Sequence, residues 1–462
     1  MKHSLNALVV CALGALVAPT GASGQGIVIS PALLSTAQEP SGRPLSEQIR
    51  RPFRGLFGAP ADPRGKQSLT LTFSAFAGYD DDLLAAEVGT SSPTGADQRS
   101  GWYPGATAGL AYTRRGTRVS GGVQGDAGVS HYPSLDYTST MYRVGGSLSA
   151  QVARRTTLGV SADEVYAPQY RLGLFTNPNA LTGEADPFST VATDLDLFRS
   201  NAYRTSVQTS LSQGLGRRTA LDAYYGFSDV NYVDNEFDYG SHAAGIRLSQ
   251  RLTQHLGFHG GYGYSTASYD RPQDVAPQRI HNIDVGVDYG RALSVSRRTT
   301  FTFSTGSSAV TQGERLTGVA GNGFSYHVIG TANLRHEIGR TFSAGIGYRR
   351  SVDFHEGFND PFLSDAVTAT YGGLLSRRLG FSSQADYAFG SVGLGGDNNG
   401  YDSASASAGL QYALSRTLAV YARYVYYRYH FDSGVVLDPR FVPSLSRQGV
   451  RVGLTASFPI LR

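Results

Sequence analysis

Fourteen charged residues recur at alternate positions inside runs of mixed polarity. They are Arg118, Asp126, Arg143, Asp163, Arg204, Asp222, Arg247, Asp284, Asp288, Arg335, Arg349, Asp386, Arg423 and Arg451. His259 and His327 fall on the same side of the alternation, together with many Ser, Thr and Gln. Side chains of a strand alternate between two faces, so these residues share the polar face of their runs. Charged rings facing water bias which ions pass, and a slight excess of Arg over Asp predicts a weak preference for anions at most. Other chemistry finds little support. His255 and His259 have the spacing of a helical metal site, but on a strand they stand about 13 Å apart and cannot share an ion. Asp397 to Asp402, "DNNGYD", echoes part of a calcium loop without its downstream glutamate. The chain shows no phosphate loop, nucleophile elbow or local Ser/His/Asp cluster. No metal, cofactor or catalytic residue is therefore assigned.

The elements that carry these residues announce themselves by a repeat. "ARRTTLGVSA" begins at Ala153, "GRRTALDAYYGF" at Gly216, "SRRLGFSSQADY" at Ser376 and "SRTLAVYARYVYY" at Ser415. Basic marks of this kind sit near residues 115, 154, 217, 254, 297, 340, 377 and 416. A spacing of about 40 residues signals a repeated supersecondary unit. Each unit holds two alternating runs. From Leu69, one face reads Leu69, Leu71, Phe73, Ala75, Ala77 and Tyr79, and the other begins Thr70, Thr72, Ser74. From Ala404, apolar even positions alternate with Ser403, Ser405, Ser407, Gly409 and Gln411. Such runs are strands with one apolar and one polar face.

A strand of about 12 residues, tilted near 40°, covers roughly 30 Å, the thickness of an outer-membrane apolar band. Counting the runs gives about 18 antiparallel strands, an even number with both ends on one side. Connections at the basic marks are expected to be about two to four residues, and those at the other end about 8 to 33. The short set reads as periplasmic turns, where arginine can meet anionic headgroups of the inner leaflet. The long set carries acids, as in Asp80-Asp81-Asp82, Glu184 to Asp186 and Asp234 to Asp238. The fold class expected is thus all-β, a transmembrane up-and-down barrel.

Composition agrees. The chain has 462 residues with Gly 57, Tyr 28, 16% charged residues and a formal net charge of +4. So weak a charge gives no reason to expect nucleic acid as a partner. Residues 1–24 read as a secretory signal peptide, with Lys2 and His3 before an apolar core and Ala22-Ser23-Gly24 at the cleavage site. The only cysteine, Cys11, lies inside it, so disulfides and cysteine metal sites are excluded from the mature chain. Residues 25–66 lack alternation and read as a flexible periplasmic segment or small plug. The barrel is assigned to 67–462.

At this point the chain resembles the bacterial outer-membrane β-barrel, or porin-like, superfamily. The resemblance covers about residues 67 to 458. The last run looks like that superfamily's assembly signal, with Arg451, Gly453, Ala456 and Phe458 in its positions. Ala456 is smaller than that pattern asks, and Phe458 is followed by Pro459-Ile460-Leu461-Arg462 instead of ending the chain. The resemblance implies insertion by the barrel-assembly machinery and residence in the outer membrane, among its lipid and lipopolysaccharide. The chain is also loosely similar to β-barrel porins found with exopolysaccharide clusters.

Closure leaves no open edge, as the bilayer requires. About 18 strands enclose more space than side chains fill. Tyr224, Tyr421 and Tyr427 point inward as scattered packing residues. Phe258, Tyr262, Tyr264, Phe301, Phe303, Tyr387 and Phe389 point outward and fit lipid contact. The longest connection, about Ala167 to Arg199, is expected to fold inward as a constriction, with Tyr170, Arg171, Phe175, Asp194 and Asp196 on it. The function expected is passive diffusion of small hydrophilic solutes. The alternatives are a polysaccharide-export channel working with periplasmic partners, and a closed structural or adhesive barrel. A soluble β-propeller shares the repeat length, but it needs four short strands per unit where this chain offers two long ones.

Overall fold

The computed structural model describes residues 55–57, 66–83, 100–168, 201–232, 238–269, 278–293, 298–311, 324–353, 361–393, 399–435 and 443–461. Among these, 18 strands form one sheet. In chain order they are β1 (Gln67–Asp80), β2 (Gly101–Arg115), β3 (Val119–Tyr132), β4 (Tyr137–Ala153), β5 (Thr156–Pro168), β6 (Asn201–Gly214), β7 (Thr219–Tyr232), β8 (Tyr239–Arg251) and β9 (Leu256–Tyr269). The second half comprises β10 (Gln278–Ala292), β11 (Thr299–Thr311), β12 (Phe324–Ile338), β13 (Phe342–Asp353), β14 (Phe362–Leu374), β15 (Leu379–Val392), β16 (Gly400–Ala413), β17 (Leu418–Phe431) and β18 (Ser444–Leu461). Every strand pairs antiparallel with its sequence neighbours, and β1 pairs with β18 to close the cylinder. The strand count and the up-and-down topology match the sequence reading. The signal-peptide range, the constriction loop and nearly all of 25–66 lie outside the described residues. In the fragment 55–57, the Leu56 N–H donates to the Arg377 carbonyl at 2.8 Å.

Why these residues make strands follows from their two faces. The outer face exposes Phe73, Leu110, Val144, Leu211, Ile246, Tyr262, Val285, Ile346, Val367, Leu410, Val452 and Leu454. In water such a surface would drive aggregation, and in hydrocarbon it is the favourable solvent contact. The inner face carries Ser74, Asp222, Arg247, His259, Thr331, Thr368, Asp386, Ser403 and Arg451, all buried. Charged pairs on the outer face occur near the loop ends of their strands. Arg350 pairs with Asp365 at 3.3 Å and Arg428 with Asp402 at 2.7 Å, where the apolar band gives way to headgroups.

The basic marks are turns. Gly116, Gly216, Thr253, Ser376 and Ser415 each donate their backbone N–H to the carbonyl three residues on, closing two-residue hairpins. Hydroxyls reinforce several of them. The Ser376 Oγ accepts from the N–H groups of Arg378 (3.2 Å) and Leu379 (3.0 Å), and Ser415 does the same for Thr417 and Leu418. At the mark near residue 340, Gly339 has φ +65, a left-handed conformation that glycine adopts without steric cost.

Four expectations are corrected. Arg118 does not line the wall. The β2–β3 ladder ends at Arg115 opposite Ser120, so Arg118 stands at an exposed hairpin tip. The long-loop side includes one very short connection: a 3-10 turn, Pro133–Leu135, joins β3 to β4, with Asp136 left-handed at its end. One turn on the opposite side is longer than expected, since β10 ends at Ala292 and β11 begins at Thr299. The final strand also continues beyond Phe458, and a register shift between Leu69 and Thr70 accommodates Pro459, which lacks an N–H for the ladder.

Candidate functional site

The site is the inner wall, and its acids are held by the wall itself. Asp288 on β10 is the most connected. Both its oxygens accept from Arg247 on β8 at 3.1 Å, His259 Nδ1 on β9 lies 2.9 Å away, and the Ser304 hydroxyl on β11 donates at 2.7 Å. Four adjacent strands thus converge on one carboxylate. Arg247 and His259 are buried beneath it, while the Asp288 side chain remains one-third exposed. Asp386 on β15 accepts from Thr368 on β14 (2.7 Å), Gln384 (2.9 Å) and Ser405 on β16 (3.0 Å). Asp163 accepts from the Ser206 hydroxyl on the neighbouring strand. Each is a carboxylate whose oxygens are met by donors fixed in the wall.

The remaining residues of the set distribute as follows. Asp126 stands opposite Arg143 in the β3–β4 ladder, and Asp222 opposite Arg247 in β7–β8. Arg204 on β6 faces Val165 and Val230. Asp284 occupies a β10 position opposite Gly261. Arg335 and Arg349 lie on the inward registers of β12 and β13, opposite Thr300 and Thr331 respectively. Arg423 on β17 sits directly opposite Arg451 on β18. His327 takes the position opposite Ser308.

Arg451 shows what the wall does with an arginine. Its guanidinium lies 3.9 Å from the Phe76 ring centre and 5.8 Å from that of Tyr103, and it donates to the Tyr103 hydroxyl at 3.2 Å. A cation so placed is held by ring quadrupoles as well as by a hydrogen bond. Behind it runs an aromatic row that alternation alone did not reveal. Phe76 meets Tyr103 edge-on, Tyr103 stacks on Tyr132 at 4.7 Å, and Tyr132 stacks on Tyr137. Tyr421 joins the same cluster. Tyr427, Tyr429, Phe431, Tyr401 and Phe362 form a second buried group around β14 to β18. The inward tyrosines Tyr421 and Tyr427 therefore belong to contiguous aromatic groups rather than standing scattered.

Glycines decide how far these rings reach. A Cβ on Gly78 would run into the Tyr103 ring, and one on Gly105 would run into that of Phe76. Each ring lies flat over a neighbouring strand where no side chain intervenes. The rings therefore cover wall and take less of the lumen than their size suggests.

Where the cylinder closes, an ion pair missed by the sequence reading joins its two ends. Arg447 on β18 donates through Nε to both oxygens of Asp80 on β1, at 3.0 and 3.1 Å, and both side chains are buried. Asp81 continues the contact: its N–H donates to the Gln448 carbonyl, and its carboxylate accepts the Gln448 N–H at 2.8 Å. On β18 the four assembly positions divide by parity. Arg451 and Gly453 fall on the inner register, and Ala456 and Phe458 on the outer.

No family model matches the sequence, and no curated protein matches it. Among solved structures, the chain is similar to OccAB3 of Acinetobacter baumannii at 13% identity and TM-score 0.41, covering 85% of this chain and 99% of that one. It is similar to OpdL of Pseudomonas aeruginosa at 12% identity and TM-score 0.42, covering 86% and 99%. OpdQ of the same organism gives 14% identity and TM-score 0.42, covering 86% and 98%. The geometry speaks for itself. An 18-stranded cylinder with an apolar outer face and a largely polar, charged inner one is built for a bilayer, and the fold of this chain is that of a transmembrane β-barrel.

Proposed function

We propose that the barrel is a passive channel for small hydrophilic solutes, with a weak preference for anions. The observation that carries this reading is the balance of charge on the inner face. Asp288, Asp386 and Asp163 are neutralised or solvated by donors within the wall. Arginines recur on the inward registers of β12, β13, β17 and β18. With Arg118 at a hairpin tip, seven arginines and six aspartates of the set remain on the inner registers, a slight excess that lowers the barrier for anions a little more than for cations. Eighteen strands also enclose more space than the wall's side chains fill, and rings folded over glycines preserve that space. Solute passage then needs only diffusion past a hydrated polar face. Among the described residues nothing calls for the polysaccharide-export channel or the closed adhesive barrel.

The test is planar-bilayer conductance of the refolded mature protein, with reversal potential measured under a KCl gradient. Steady openings with a reversal potential displaced modestly toward that of chloride are expected. A barrel that is folded by its heat-modifiable mobility yet electrically silent overturns the reading.

A further inference from the structure

The turns on the short-turn rim share more than arginine. Leu215, Leu252, Leu293, Leu375 and Leu414 each stand just past a strand end, on the outward register, with roughly half their surface exposed. Leu215, Leu252 and Leu414 each donate their N–H to the carbonyl four residues on, at 2.9–3.0 Å, and so hold equivalent positions, while Leu293 donates across a longer turn to Thr299 at 2.8 Å. Two or three residues later comes the tip. It carries Arg217-Arg218, Arg377-Arg378 or Arg416, all exposed, and Arg298 is exposed just before β11. Arg154-Arg155, Arg118 and Arg340 occupy the remaining tips, next to exposed Val152, Val119 and Ile338. The tip after Leu252 is the exception and carries His255.

Two further facts narrow the partner. No aspartate or glutamate occurs in any of these turns, whereas the opposite rim bears Asp80, Asp81, Asp82, Asp136, Asp229, Asp238 and Asp432. In the Thr253, Ser376 and Ser415 turns the tip N–H groups are already occupied by hydroxyls. An anion arriving there meets guanidinium groups rather than backbone. The repeated unit is thus an aliphatic side chain at the edge of the apolar band and a cation one step further out.

From this we propose that the short-turn rim is a binding surface for anionic phospholipid headgroups of the periplasmic leaflet, with each leucine among the acyl chains and each arginine on a phosphate. A folded periplasmic protein would contact one sector of the rim. The arginines instead follow the whole circumference, wherever a lipid can lie.

The test is native mass spectrometry of the purified full barrel after equilibration with equal amounts of phosphatidylglycerol and phosphatidylethanolamine. Wild type is expected to retain phosphatidylglycerol preferentially, by about fivefold or more. A variant combining Arg154→Gln, Arg155→Gln, Arg217→Gln, Arg218→Gln, Arg377→Gln and Arg378→Gln should fall to near parity, and the same six changed to Lys should keep most of the preference. Should the six-fold variant fail to fold, Arg377→Gln with Arg378→Gln alone should lower the ratio measurably. Equal retention of both lipids by wild type overturns the proposal, as does a preference unchanged by the Gln substitutions. Binding that follows an acidic periplasmic protein, with no lipid preference, overturns it as well.

Discussion

Two stretches of the inner wall face one lumen and are built differently. The stretch β17, β18, β1 and β2 is aromatic and basic. Arg451 lies over the Phe76 ring and donates to the Tyr103 hydroxyl, Arg447 is buried against Asp80, and Tyr421 completes the cluster. The stretch β8 to β11 is small and polar. Gly261 and Gly286 leave room for Arg247 and His259, and one shared acid, Asp288, collects both of them together with Ser304. The difference teaches that one polar face can be made rigid in two ways. Rings can hold a cation such as Arg451 in place, or a single carboxylate can gather donors from several strands.

The sharpest way to break the comparison is at the seam. Asp80→Asn leaves Arg447 buried without its counter-charge and should cost about 3–5 kcal/mol. Urea unfolding in lipid vesicles measures it, and an unchanged midpoint would mean that the pair is not closed in the membrane. Next comes the assignment of faces. Ala406→Arg, on the outward register, should cost about 2–4 kcal/mol, while Ser407→Arg on the adjacent, half-exposed inward position should fold readily. Equal penalties would mean that the two faces are assigned wrongly. In the second stretch, Asp288→Asn removes the charge and one of the two acceptor oxygens that Arg247 and His259 share, and should cost about 2 kcal/mol. It should also move the reversal potential further toward chloride, whereas Arg451→Gln should move it the other way. The smallest effect is local: Ser376→Ala loses an acceptor for two turn N–H groups, at about 1 kcal/mol or less, with conductance unchanged.

Strands and turns are legible in the sequence because a two-residue period and a basic punctuation mark are local properties of the chain. The same local view misreads Arg118, since alternation carried one step too far runs straight through a hairpin tip. The β3–β4 connection escapes it because Pro133-Ser134-Leu135 turns the chain without the Gly or Asn cluster that usually marks a loop. What stays hidden is whatever depends on register between strands. Phe76, Tyr103, Tyr132 and Tyr421 lie on four strands, and their contiguity appears only once the cylinder closes. Asp80 and Arg447 are 367 residues apart, and no spacing rule pairs them. The Asp288 hub needs three ladders at once, although Arg247, His259 and Asp288 are each placed on the inner face by alternation alone.

The closing ladder has a consequence for how such a molecule comes into being. All strand pairings but one join neighbours along the chain and can zip in sequence as hairpins, at little cost in chain entropy. The β1–β18 ladder joins the two ends and can form only when everything between them is in place. That makes the seam the last ladder to form and, under stress, the first to part. The terminal strand, read from sequence as an address for the assembly machinery, is then also the latch. Amide hydrogens of β1 and β18 should exchange faster than those of any interior ladder, and the Asp80–Arg447 pair is the bolt that slows them.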